Sequence, residues 1–248
     1  MSTVDLAIIG GTGVYRLARL QDAQRHLVET PYGPPSDAVV AGTLHGRRVL
    51  FLARHGENHV LAPHEINYRG NLWALHSLGA RRVLAVNSVG GISARMAPRA
   101  LVVPDQLVDY TWGRAHTYAG NGNRVEHVDL SWPYDAGLRG AVLDAGRAAG
   151  LDLVDGGTYG ATQGPRLETR AEIRRLAGDG CDLVGMTGMP EAALAKELGL
   201  AYACVAVVAN WAAGCGDEAE ITMADVLGNM EQATARLPAL IDELLASF

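Results

Sequence analysis

Short apolar runs recur along this chain, and a small-polar, glycine-containing segment closes most of them. Runs at 6–9, 49–53, 82–86, 100–104 and 202–208, with a weaker one at 182–184, have the length and β-branched content of buried strands. Helical spacing fills the gaps at 68–78, 137–149, 169–177 and 190–198. Strands that alternate with helices predict an α/β sheet with parallel or mixed pairing. Asp135 is placed to cap the second of those helices and Gly150 to stop it. A last helix begins at Thr222, with Asp225 at capping-box spacing and Met223, Val226, Leu227 and Met230 on one face. Pro238 should kink that helix or divide it. The polar stretch 117–129 reads as a long loop, and with no repeat or linker in sight one domain over 1–248 is the expectation.

Composition supports a large core: 48% of residues are hydrophobic and 19% charged. The formal charge of −6 argues against nucleic acid, whose phosphates need clustered Lys and Arg. It leaves room for a small anion, which answers to local donors. Cys181, Cys204 and Cys215 show no metal-binding spacing, and an odd count suits a reducing compartment. Ser2-Thr3-Val4-Asp5 carries no basic segment, and no apolar run reaches the ~18 residues of a spanning helix. The expectation is a soluble, cytoplasmic protein that touches no membrane.

The strand exits carry the chemistry. Ile8-Ile9-Gly10-Gly11-Thr12-Gly13 lets backbone N–H groups converge on an anion, but Arg16 stands where a dinucleotide fingerprint needs its third glycine. No GK[ST] follows, so it is not a P-loop either. Arg54-His55-Gly56 offers a planar cationic fork beside a residue that lets a ligand approach. Val86-Asn87-Ser88-Val89-Gly90-Gly91, Gly160-Ala161-Thr162-Gln163-Gly164-Pro165-Arg166 and Gly185-Met186-Thr187-Gly188-Met189-Pro190 read as further strand-end loops. Ligand sites in α/β sheets collect at such ends. His55, His59 and His64 surround Pro63, which spoils a helical zinc face, and no G-x-S-x-G elbow exists. The residues alone point to an α/β protein that binds a small polar, phosphate-bearing ligand.

Several of these segments, in order, resemble the trimeric purine nucleoside phosphorylase and methylthioadenosine phosphorylase family. They are Gly10-Gly11-Thr12-Gly13, Ala53-Arg54-His55-Gly56, Asn67-Tyr68-Arg69-Gly70-Asn71-Leu72-Trp73-Ala74, Gly164-Pro165-Arg166 with Glu168-Thr169, and Met186-Thr187-Gly188-Met189-Pro190-Glu191. The resemblance covers nearly the whole chain and looks strongest toward its bacterial methylthioinosine-cleaving members. It implies one α/β domain around a mixed, partly barrel-like sheet flanked by helices, assembled as a homotrimer or a pair of trimers. It implies phosphate as co-substrate and no cofactor or metal. Phosphate would be held by Thr12, Arg54, His55, Ser88 and Thr187, with Asn87 in the same group, and Met186 would pack under the ribose.

Specificity follows from the same comparison. In adenosine-directed relatives an aspartate faces N7 and the 6-amino group; the matching residue here is Asn210, and Ala212 replaces the pattern's second aspartate. Glu168, next to Leu167, would accept from N1–H, which 6-oxopurines carry and adenine lacks. The 5' position should meet Met223 and Val226, an apolar wall that suits methylthio and gives a hydroxyl no partner. His127 aligns with a histidine that relatives contribute from the neighbouring subunit. Asn210, Thr187 and His55 are the expected catalytic residues. A general inosine/guanosine phosphorylase and a methylthioadenosine phosphorylase remain open within the class. Outside it, Arg54, His55 and Thr187 argue against a nucleoside-binding protein without catalysis, and Gly10-Gly11-Thr12-Gly13, without aspartate, argues against a calcium-dependent nucleoside hydrolase.

Overall fold

Burial on both faces makes the central strands read as unbroken apolar runs. The computed structural model describes residues 4–11, 20–120, 122, 125–216 and 220–248. In β1 (Leu6–Gly10), Leu6 and Ile8 enter one apolar cluster while Ala7 and Ile9 enter another on the opposite face. Beside it lie β4 (Arg47–Ala53) and β5 (Arg82–Gly91), both parallel to it. β2 (Gln21–His26) and β3 (Val39–Leu44) extend the sheet antiparallel past β4.

β5 is where the sheet branches. One of its edges pairs with β1 over Val83–Val86 and then with β10 (Leu183–Gly185) at Gly90 and Gly91. Residues 87–89 fall between the two partners, so a fork opens there. Beyond β10 lie β9 (Thr158–Ala161) and β7 (Gln106–Asp109). The other edge of β5 pairs in parallel with β11 (Ala201–Trp211), which also pairs β6 (Leu101–Val103), and β6 pairs β8 (Leu153–Asp155).

Helices cover both faces. α1 (Tyr68–Ser77) and α4 (Glu191–Glu197) pack on one; α2 (Ala136–Ala148) and α6 (Leu237–Ala246) pack on the other. α3 (Arg170–Gly178) covers a third, smaller cluster with Ile173 and Leu176. The caps are those the side chains announce: Asp135 accepts from the Leu138 N–H, and Thr169 with Glu172 closes a capping box. α5 (Met223–Thr234) starts at Thr222, which accepts from the Asp225 N–H. The chain breaks after α5, and Pro238 lies in the first turn of α6, so the expected kink is a division into two helices. Among the described residues no helix is long and apolar enough to cross a membrane.

Two expectations need correction. The segment 86–91 is not a loop: β5 runs through it to Gly91. Its glycines serve close approach, since a Cβ on Gly91 would stand 1.8 Å from the Met96 carbonyl oxygen. β2, β3, β7, β8 and β9 were not expected at all, and β2 is an edge strand, QDAQRH, largely exposed.

Candidate active site

The fork beside β5 opens into a cavity of about 920 Å³, ample for a nucleoside and an anion together. Its walls include Gly11, Arg54 and His55 after β1 and β4, Ser88 from β5, Met186 and Thr187 after β10, and Asn210 and Ala212 from the end of β11. Leu167 and Glu168 line another side, and Met223, Val226, Leu227 and Met230 of α5 form the far wall. Residues separated by most of the chain therefore meet where the strand order divides, as open α/β sheets arrange their ligand sites.

Arg54 does not present a free fork. It is 1% exposed, and its Nε and Nη2 donate to the two carboxylate oxygens of Glu191, each at 2.8 Å. Nη1 donates to the Val86 carbonyl at 2.9 Å, and Nη2 also reaches the Ile9 carbonyl and Asn87 Oδ1 at 3.3 Å. The guanidinium thus plugs the fork, meeting carbonyls where the strands part, and Nη1 keeps one N–H beyond its bond to Val86. Glu191 is fully buried and also accepts from the Tyr202 hydroxyl at 2.9 Å. Burial of this kind demands the partner, since an isolated charge in such a place is very unfavourable. Glu191 ends one of the segments that carry the resemblance but has no role assigned from sequence, because an acid opening a helix needs no explanation beyond the helix dipole.

Asn87 also differs from expectation. Because 86–91 is strand, alternation turns Ser88 to the cavity and Asn87 away from it; Asn87 is buried and does not line the pocket. It works from behind. Its Nδ2 donates to Thr187 Oγ1 at 2.9 Å while its Oδ1 accepts from Arg54. Thr187 Oγ1 is committed as an acceptor there, which leaves its own proton to donate into the cavity.

His55 is buried, and its Nδ1 lies 2.8 Å from the Leu61 carbonyl. Only a protonated Nδ1 can meet a carbonyl, so the neutral ring shows an unprotonated Nε2 to a ligand. Burial pushes its pKa down from 6.5 to about 4, and the Arg54 and His59 charges push the same way. With His55 neutral and Arg54 offset by Glu191, this end of the cavity is close to electroneutral.

Across the cavity, Asn210 Nδ2 donates to the Trp211 carbonyl at 2.7 Å, which assigns the amide and leaves Oδ1 to accept from a ligand. Glu168 Oε1 accepts from the Thr162 hydroxyl at 2.5 Å. Gly164, at φ +62°, lies against Met186: a Cβ there would meet its Sδ at 2.4 Å. Arg114 is absent from the sequence reading. This buried guanidinium donates to the carbonyls of Thr162, Gln163, Met186 and Met189 and to the Tyr68 hydroxyl, fixing the loops on both sides of the cavity.

Thr12 lies outside the described residues. His127 is exposed and does not line the cavity of its own chain. His55 and His59 stack at 4.0 Å, but no group of three or more His, Cys, Asp or Glu among the described residues could hold a metal ion.

Comparison with known proteins agrees with this geometry. Residues 5–246 match the phosphorylase superfamily. A probable S-methyl-5'-thioinosine phosphorylase of Xanthomonas campestris pv. campestris is 60% identical over 98% of both chains. Another so described, from Pseudomonas syringae pv. tomato, is 50% identical over 97% of this chain and 98% of the relative. A methylthioadenosine phosphorylase from Schistosoma mansoni, solved with adenine, superimposes with a TM-score of 0.93 at 31% identity, covering 99% of this chain and 92% of the other. The chain belongs to the phosphorylase superfamily.

Proposed function

We propose that the protein uses inorganic phosphate to cleave S-methyl-5'-thioinosine into hypoxanthine and 5-methylthioribose 1-phosphate. The observation that carries this reading is the company Asn210 keeps: it shares one cavity with Glu168, the Arg54–Thr187 end and the apolar wall of α5. A 6-oxopurine suits that company. Asn210 Oδ1 can accept from the N7–H that forms as the base departs, the remaining Nδ2 proton can meet O6, and Glu168 accepts from N1–H. Adenine has no proton at N1 and would leave Glu168 without its donor, a fault of about 1–3 kcal/mol. The names of the similar Xanthomonas and Pseudomonas proteins support the same substrate.

The chemistry follows from the bond. As C1'–N9 lengthens, its electron pair moves to the purine and positive charge grows on the sugar, an oxocarbenium-like state. The phosphate at Thr187, Ser88, His55 and Arg54 opposes that charge and then forms the C1'–O bond. The base takes up a proton at N7 as it departs, balanced by the one phosphate gives up on forming its ester, and Asn210 Oδ1 accepts from that N7–H. His55 Nε2, unprotonated at neutral pH, accepts a hydrogen bond from the proton that phosphate still carries. Thr12 belongs to the same proposed set, and no metal or cofactor takes part. Met223 and Val226 enclose the methylthio group.

The reading includes a cytoplasmic enzyme and a homotrimer in which His127 reaches the neighbouring cavity. In support, His127 is exposed on a segment that also exposes Trp112, Val125 and Trp132. The deciding experiment is a panel of methylthioinosine, methylthioadenosine, inosine and adenosine, with and without phosphate, under EDTA. Methylthioinosine should lead in kcat/KM, only with phosphate and regardless of chelator. Equal turnover without phosphate would overturn the phosphorolytic reading, and equal use of methylthioadenosine would overturn the base assignment.

A further inference from the structure

The register between β5 and β11 slips once, at the edge of the site. Pairing is unbroken from Ala201 opposite Arg82 to Val208 opposite Val89, and then Asn210, not Ala209, stands opposite Gly90. Ala209 is the extra residue of a β-bulge. Before the bulge, Ala206 and Val208 enter the cluster covered by α1 and α4, while Val205 and Val207 enter the one covered by α2 and α6. Strict alternation would send Asn210 after Val208, toward α1 and α4. The cavity lies on the other side, against α5, whose Ala233 and Met230 belong with the α2–α6 cluster. One inserted residue reverses the parity and turns Asn210 and Ala212 into the cavity.

A bulge leaves its extra residue without a regular ladder partner, and Ala209 is buried, so its carbonyl needs a donor. Asn229 provides one: its Nδ2 donates to the Ala209 carbonyl oxygen at 2.8 Å. Asn229 sits on α5, which packs along β11, and it does not line the cavity. The neighbours Val226, Leu227 and Met230 on the same helix do line it.

We infer that Asn229 is a positioning residue that holds the Ala209 bulge open and so keeps Asn210 aimed at the purine. Without the donor, the Ala209 carbonyl is left unsatisfied, and the strand gains by sliding back toward regular register, which rotates Asn210 out of the cavity. The same bond ties the base-facing strand to the helix that faces the 5' group. The inference rests on the assignment of Asn210 to the base, and its test separates the two.

The full-length protein is compared with Asn229→Asp, which keeps the shape but replaces the donor by an acceptor, and Asn229→Leu, which keeps the volume without either. Binding of hypoxanthine and adenine, and the KM for phosphate, are measured for all three. If the wild type itself fails to prefer hypoxanthine, the base assignment falls first. With that preference in place, both variants should lose about ten-fold or more in hypoxanthine affinity and in kcat/KM for methylthioinosine. The KM for phosphate should stay within two-fold, because Arg54 and Thr187 are held by Glu191 and Asn87 instead. A folded variant that keeps its hypoxanthine preference overturns the inference. So does one whose phosphate KM rises as much as its base affinity falls, since that marks general loosening.

Discussion

The two ends of the cavity are built on opposite plans. At the anion end, Arg54, Glu191, Asn87 and Thr187 are all buried and bonded to one another, so that no member can move alone. At the sugar end, Met223 is 62% exposed and Leu227 58%, and they hold to the rest mainly through their helix. The anion must be met by donors fixed in advance, because preorganised dipoles are what stabilise developing charge. A methylthio group needs only an apolar surface, which many side chains can supply. Replacement should therefore be severe at one end and permissive at the other.

The strongest way to break that contrast is at Glu191. Glu191→Ala leaves Arg54 buried and unpaired, and should lower the unfolding free energy by about 3–5 kcal/mol in urea titrations. The double variant Arg54→Met/Glu191→Leu should recover most of that stability while phosphorolysis stays lost. A single variant as stable as the wild type would show that the pair is not what organises this end.

His55 gives a second, smaller probe. Its folded pKa of about 4 lies below the 6.5 of the unfolded chain, so between those values the unfolded state binds more protons and stability rises with pH. The contribution is complete above pH 6.5 and is lost as pH falls toward 4, amounting to about 3 kcal/mol. Unfolding midpoints from pH 4 to 8 should slope less steeply for His55→Gln. An unchanged slope would place the acid sensitivity elsewhere.

The smallest effect is expected at the sugar end. Met223→His should alter stability by no more than about 0.5 kcal/mol. The ratio of kcat/KM for methylthioinosine over inosine should fall by about ten-fold, the worth of one small apolar contact. If stability falls by several kcal/mol instead, the wall is as rigid as the anion end and the contrast disappears.

What the sequence made legible follows the same division. Strands buried on both faces, such as β1 and β11, announce themselves by apolar runs. β2 does not, because a polar hexapeptide becomes a strand only through its pairing with β3. Gly90 and Gly91 read as a turn, though the structure uses them to bring β5 against residue 96 and β10. Leu167, Glu168, Asn210 and Met223 were singled out through resemblance, and they line one cavity. Glu191, Arg114 and Asn229 were not, since each acts on another residue across long sequence distance. Nothing local marks a glutamate for burial or an asparagine for a carbonyl twenty positions away.

The placement of α6 bears on how the protein is made. Leu237, Leu240, Ile241, Leu244 and Leu245 close the cluster that also holds Leu6 and Ile8 of the first strand, and Pro238 is itself part of the cavity wall. On a translating ribosome, Leu6 and Ile8 wait until Leu245 has been made before these neighbours arrive. Until then an apolar face of the sheet stands open to chaperones and proteases, and the cavity lacks a side. A chain cut before α6 should therefore leave this cluster uncovered and the cavity incomplete.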